Sequence, residues 1–146
     1  MKNTDFCKLS KAERDKMTSI ISEVLRKDNE VVFAYLYGSF IMDDSFKDID
    51  IFVYISGRGN PFACAVRLKE SILNAAIHAG IEKFAVDDFD VRIINDSPYD
   101  FAIDLLSEGR LIVDKDPELR TSYIEDISDE YRVNYFILDE VYGEGR

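Results

Sequence analysis

Residues 31–37 read Val-Val-Phe-Ala-Tyr-Leu-Tyr, a run without polar interruption that stops at Gly38-Ser39. A β-branched and aromatic segment of this kind, lacking alternation, belongs in a central strand covered on both faces. A chain built around such a strand needs helices with apolar faces to cover it. Ser10-Lys11-Ala12-Glu13 is a capping box, and Met17, Ile20, Ile21, Val24 and Leu25 then keep the spacing of an amphipathic helix. Asn60-Pro61 supplies the N-cap and first position of a second helix, expected to reach about Ala79 and stop at Gly80. Ser97-Pro98 opens a third helix that Gly109 closes, and Asp116-Pro117 opens a long fourth with Leu119, Tyr123, Ile127 and Tyr131 on one stripe.

Between the helices lie further strand signals. Asp48 to Ile55 reads as a second strand after a polar loop, Met42 to Lys47. Phe84 to Ile94 reads as a third, with Phe89, Val91 and Ile93 on one face and Asp88, Asp90 and Arg92 on the other. Leu111-Ile112-Val113 is a short fourth. The expected fold is therefore mixed α/β, an α+β arrangement of a small mixed β-sheet flanked by helices. Neither repeats nor a Pro/Gly/Ser linker divide the chain, so one domain over 1–146 is expected, with a core over about 31–113 and a C-terminal helix over about 117–141.

The charge narrows the function. Lys and Arg number 18 against 29 Asp and Glu, a net of −11, which argues against a protein that grips nucleic acid by its phosphates. Residues 1–28 carry seven basic and five acidic side chains (+2), and those from Ser97 onward five and thirteen (−8), a pattern read as solvated helix faces. No apolar run approaches the roughly 20 residues that span a bilayer. Met1 to Asp5 lacks the apolar core of a secretion signal. Cys7 and Cys64 have no metal-type spacing and read as free thiols in a reducing compartment, so a cytoplasmic location is expected.

The chemistry concentrates in Gly38-Ser39, the eight residues Phe40 to Lys47, and Asp48-Ile49-Asp50-Ile51. Residues two apart on a strand share a face, so Asp48 and Asp50 set two carboxylates side by side. Such a pair repels unless a cation lies between, and Mg²⁺ suits hard oxygen ligands joined by substrate phosphates. Asp90 adds a third carboxylate from another strand, enough to hold a pair of ions for in-line displacement at phosphorus. A glycine at a strand end lets backbone approach a ligand, and the Ser39 hydroxyl and following N–H groups can donate to phosphate. Taken singly, Asp-x-Asp is usually the wet face of an edge strand and Gly-Ser a turn. Their combination inside an apolar segment, where unpaired charge is costly, favours chemistry.

This constellation resembles the nucleotidyltransferase superfamily of DNA polymerase β, whose pattern is Gly-Ser, a spacer, Asp-hydrophobic-Asp and a later third acid. The run Phe89 to Pro98, with Leu105 to Ile112 and the following Asp116-Pro117, is similar to the minimal nucleotidyltransferases (MNT), antitoxins of MNT/HEPN toxin–antitoxin pairs. The resemblance covers roughly residues 31–125. It implies that Asp48, Asp50 and Asp90 are catalytic carboxylates and metal ligands, Asp90 also aiding the attacking hydroxyl. It implies too that Gly38 and Ser39 hold a nucleoside triphosphate, with ATP as substrate and Mg²⁺, as two ions, as cofactor. The implied partner is a helical HEPN-family toxin, on which a tyrosine receives AMP, and any oligomer would be the complex with it. Two features depart from the pattern: the spacer is eight residues where many members have ten, and Asp43 stands where they usually carry glycine.

Two other functions stay open. The chain could be a silent nucleotidyltransferase-fold module that neutralises its partner by contact, which Asp43 and the short spacer would favour. It could instead modify a small molecule such as an aminoglycoside, although no second domain is apparent to build that acceptor pocket. Gly57-Arg58-Gly59 reads as a loop, since Phe62 replaces the third glycine of a dinucleotide fingerprint. His78, near a helix C-terminus, reads as a surface or packing residue. Arg92 shares the face of Asp90 and either pairs with it or reaches a phosphate. Tyr123, Tyr131, Tyr135 and Tyr142 read as the buried stripe of the last helix, or else as a docking face.

Overall fold

The apolar run Val31–Tyr37 forms a central strand, β2, and six of its seven residues are buried. Residues 7–57 and 59–142 are described by a computed structural model, residues 133–142 by backbone alone. A two-residue strand β1 (Cys7–Lys8) and helix α1 (Lys11–Lys27) precede β2, and a one-turn helix α2 (Ser39–Met42), a short β3 (Ser45–Phe46) and β4 (Ile49–Ile55) follow it. Helix α3 (Pro61–His78), β5 (Phe89–Ile93), α4 (Tyr99–Glu108), β6 (Arg110–Asp114) and α5 (Pro117–Tyr142) complete the chain. The main sheet has the order β5-β4-β2-β6, and β1 pairs with β3 in a separate two-stranded ribbon. Strands β4 and β5 run parallel, joined over α3, while β2 is antiparallel to both β4 and β6.

Helices cover both faces of the sheet. Met17, Ile21 and Leu25 of α1 and Cys64, Leu68, Ile72 and Ala76 of α3 meet Ile49, Ile51 and Val53 of β4 and Phe89 and Val91 of β5. On the opposite face, Ala102 and Leu105 of α4 and Tyr123 and Ile127 of α5 meet Phe33, Tyr35 and Phe52. The Tyr123 hydroxyl donates to the Ile94 carbonyl at 3.2 Å, and its burial pushes the phenol up to about 12.

The local signals act as read. Ser10 Oγ accepts from Glu13 N at 3.1 Å while Glu13 Oε1 accepts from Ser10 N at 3.0 Å, closing the capping box. Asn60 Oδ1 accepts from the N–H groups of Phe62 and Ala63 ahead of α3, and Gly80 takes φ +86° just past its end. Cys64 is buried and Cys7 half-buried, both as free thiols pushed up by burial. His78 lies in the last turn of α3 with Nδ1 3.1 Å from the Asn74 carbonyl.

Four readings need correction. The third strand does not begin at Phe84: it is confined to Phe89–Ile93, and Val86–Asp88 form a 3₁₀ turn in which Asp88 Oδ2 accepts from Ala85 N at 2.8 Å. The apolar residue upstream serves packing instead, with the Phe84 ring 5.6 Å from Phe89 and 6.3 Å from Phe46. The segment Met42 to Lys47 is not simply a polar loop, because Phe46 is fully buried in β3. Asp48 stands one residue before β4 rather than within it. The tyrosine stripe is buried only at Tyr123, since Tyr131 is exposed beside Tyr99; the side chains of Tyr135 and Tyr142, like the whole of Arg58, lie outside the described residues. No helix among the described residues is long and apolar enough to cross a membrane.

Candidate active site

The strand alternation that buries Ile49, Ile51 and Val53 against α1 and α3 turns Asp50 to the other face, that of Phe52. In the parallel ladder Ile49 lies opposite Phe89, Asp50 opposite Asp90 and Phe52 opposite Arg92. The third carboxylate is thus the register partner of the second. Tyr37 is opposite Asp50 on the antiparallel side, so the end of β2 and the beginnings of β4 and β5 meet at one edge.

At that edge the chain turns from β2 into α2 through Gly38, with φ +86° and ψ −157°. L side chains rarely adopt this conformation. A Cβ there would also stand 2.6 Å from Asp50 Oδ2, so only glycine lets the backbone pass so close to the carboxylate. Ser39 is the first residue of α2, where a helix has N–H groups without intrahelical acceptors. The turn is held from outside by Arg14 of α1. Its guanidinium donates to the carbonyls of Phe40 and Asp44 and lies 5.6 Å and 5.2 Å from the centroids of the Phe40 and Phe46 rings. Nothing in the sequence pointed to Arg14, since its partners are 26 and 30 residues away.

The electrostatics single out Asp50. Burial pushes its carboxyl up to about 6, and the carboxylates of Asp90 and then Asp48 push in the same direction against a smaller opposing effect of Arg92. Asp90 is held by Arg92, whose Nη2 lies 3.1 Å from Oδ2 and whose Nε lies 3.4 Å from Oδ1. Tyr37 beside them is pushed up by burial and by Glu108 and Asp104 of α4, so its phenol stays neutral. Asp43 is exposed and lines a cleft of about 520 Å³ together with Lys8, Lys11 and Arg14.

Chemically, the edge fits a hard divalent cation and a phosphate. Its donors are carboxylate oxygens, their mutual repulsion is what a cation relieves, and the space a Cβ would fill at Gly38 adjoins Asp50. Among the described residues, no three His, Cys, Asp or Glu side chains already stand in ligating geometry. Arg92 engages both oxygens of the third carboxylate.

A glycine turn pressed onto the Asp50 carboxylate of β4, with Asp48 just ahead of that strand and a third acid in register on the next, is the frame of a nucleotidyl-transferring fold. The chain belongs to the family described as Polymerase beta, Nucleotidyltransferase, whose sequence pattern matches residues 19–118. Among solved structures, the fold matches a chain from the Shewanella oneidensis tri-AMPylated HEPN toxin in complex with MNT antitoxin. That match covers 88% of this chain and 98% of the other, at 16% identity and a TM-score of 0.58. A toxin–antitoxin structure with AMP-PNP matches over 86% and 98%, at 17% identity and a TM-score of 0.59. The toxin–antitoxin MntA-HepT matches over 91% and 99%, at 15% identity and a TM-score of 0.52. At such identities the shared property is the fold. Comparison with curated proteins by sequence returns no significant match.

Proposed function

We propose that this chain transfers AMP from ATP to a hydroxyl, and that the hydroxyl belongs to a tyrosine of a helical, HEPN-type partner protein that it neutralises. The observation carrying the proposal is the pairing of Asp50 with Asp90 across parallel strands, beside a glycine whose missing side chain leaves room next to Asp50. Asp48 and Asp50 would hold the metal with Asp90 as the further ligand. Divalent ions supply neutralisation of the triphosphate and of the departing pyrophosphate. Gly38 gives the triphosphate its approach, and the Ser39 hydroxyl donates to a phosphate oxygen. Asp90 takes the proton of the attacking hydroxyl as its oxygen bonds to the α-phosphorus, and the bond to pyrophosphate breaks. Little covalent chemistry is asked of the protein, since positioning and charge neutralisation carry most of such a rate.

A HEPN-type partner that receives AMP is supported by the fold neighbours, one of which was solved with a tri-AMPylated HEPN toxin. The reading in which the module neutralises by contact alone has one observation in its favour: Asp90 is occupied by Arg92. The two separate in one experiment. Label from α-phosphate-labelled ATP and Mg²⁺ is followed onto the protein encoded by the neighbouring gene, with Asp48→Ala/Asp50→Ala as control. Label on the partner that the control loses is the expected result. A stable complex, a folded protein and no label would favour neutralisation by contact. Label released on a small molecule would move the acceptor to that class.

A further inference from the structure

Arg92 holds the carboxylate that a metal would need. Nη2 and Nε approach the two oxygens of Asp90 at 3.1 and 3.4 Å, so the guanidinium fork occupies both donor atoms. The pair is local: Arg92 is two residues from Asp90 on β5, and its side chain is 62% exposed against 34% for Asp90. Strand alternation places both on the face of Asp50, and Arg92 has the opposite effect on that carboxylate to Asp90 and Asp48. The guanidinium therefore already serves as the cation of an acidic cluster. A planar fork that fits a carboxylate fits phosphate equally well.

We propose that Arg92 is a latch: it keeps Asp90 from metal while the nucleotide site is empty, and exchanges Asp90 for a phosphate oxygen when the nucleotide arrives. Metal and nucleotide then bind with positive coupling, because each favours the arrangement in which Arg92 has left Asp90. Arg92 acts here as a positioning residue, and the inference rests on the nucleotidyltransferase reading.

The test is Mn²⁺ binding, followed by the electron paramagnetic resonance of the free ion, with and without the non-transferable analogue α,β-methylene-ATP. The wild-type protein is expected to bind Mn²⁺ weakly alone and more tightly with the analogue. Arg92→Ala should tighten Mn²⁺ binding without nucleotide by about tenfold, the order of effect of one charge beside a carboxylate. The same variant should weaken binding of the analogue and reduce the coupling. Arg92→Lys, which keeps the charge without the fork, should fall between the two. Mn²⁺ affinity unchanged or lowered in Arg92→Ala, with wild-type binding still dependent on Asp48 and Asp50, would overturn the latch and leave the nucleotidyltransferase reading standing. Absence of Mn²⁺ binding from every variant, with or without analogue, would overturn both.

Discussion

Gly38 and Asp50 are in mutual contact through the space where a side chain is missing: a Cβ on Gly38 would stand 2.6 Å from Asp50 Oδ2. Two separable costs follow for Gly38→Ala. One is the φ of +86°, a conformation that costs a non-glycine residue about 1–3 kcal/mol. The other is the clash with Asp50, which must move the carboxylate from its place opposite Asp90. The expected outcome is a melting temperature lower by about 3–8 °C for a chain of this size. Adding Asp50→Ala should recover the part of the loss due to the clash and none of that due to φ. A double-mutant cycle in urea measures that coupling, and strict additivity would mean that the two residues do not meet.

Asp50 is the acid whose ionisation the fold opposes, so removing its charge should stabilise the protein in a defined pH window. Its carboxyl is raised from 3.8 to about 6. A raised acid binds more protons folded than unfolded between those values, so its contribution to stability falls as pH rises from about 4 to about 6 and stays low above. Asp50→Asn should therefore raise stability at pH 7.5 by about 1 kcal/mol, allowing for screening at a half-exposed site, and have little effect at pH 3.5. Thermal melts at the two pH values check the sign. Equal effects at both would show that the charge is not the cause. Mg²⁺ should narrow the difference between the proteins at pH 7.5, since the ion stabilises only the form that binds it.

If Asp90 receives the proton of the acceptor hydroxyl, Asp90→Asn should slow transfer more than it weakens nucleotide binding. Loss of one general base is typically worth about 10²–10⁴-fold in rate. Single-turnover transfer of labelled AMP, at saturating ATP and partner, isolates that step. A rate within threefold of wild type would assign Asp90 to the fold alone.

The part of this site that was legible in the sequence is the part written in short-range pattern. Gly38-Ser39 ends an apolar strand and Asp50 alternates with Ile49 and Ile51, so the strand end and the facing of Asp50 followed from spacing. That Asp90 would stand opposite Asp50 did not, because parallel register is set by the α3 crossover and its packing on β5. Phe84 to Asp88 imitated a strand because its apolar Phe84-Ala85-Val86 runs directly into the alternating segment; the Phe84 ring packs on Phe46 and Phe89 while Asp88 caps a turn. Phe46 was hidden among Ser45, Lys47 and the acids before them, although a lone phenylalanine in a polar stretch is itself a sign of burial. The role of Asn95 is likewise non-local, since its partner lies 40 residues away. Its amide accepts from Ile55 N at 3.0 Å and donates to Ile55 O at 2.7 Å, extending the β4 ladder beyond the last strand residue by a side chain.

From α1, Arg14 clamps the segment that follows the glycine turn. Its fork binds the Phe40 and Asp44 carbonyls, one at each side of the segment Ile41 to Asp43, and lies against the Phe40 and Phe46 rings, themselves 4.9 Å apart and edge-on. Each charge-assisted hydrogen bond is worth about 1.5–3 kcal/mol when buried, and less at this half-exposed position. Arg14→Ala should therefore cost about 2 kcal/mol, or roughly 4–8 °C in melting temperature. It should also loosen the turn that leads into Ser39, so the affinity for α,β-methylene-ATP should fall. Arg14→Lys keeps the charge but cannot span two carbonyls with one planar group, and should recover less than half of either loss. Hydrogen exchange at the amides of Ile41 and Met42, which donate to the Gly38 carbonyl at 3.1 and 3.2 Å, reports on the turn directly. Faster exchange there in both variants is the expected result, and exchange equal to wild type in Arg14→Ala would show that the turn holds without its clamp.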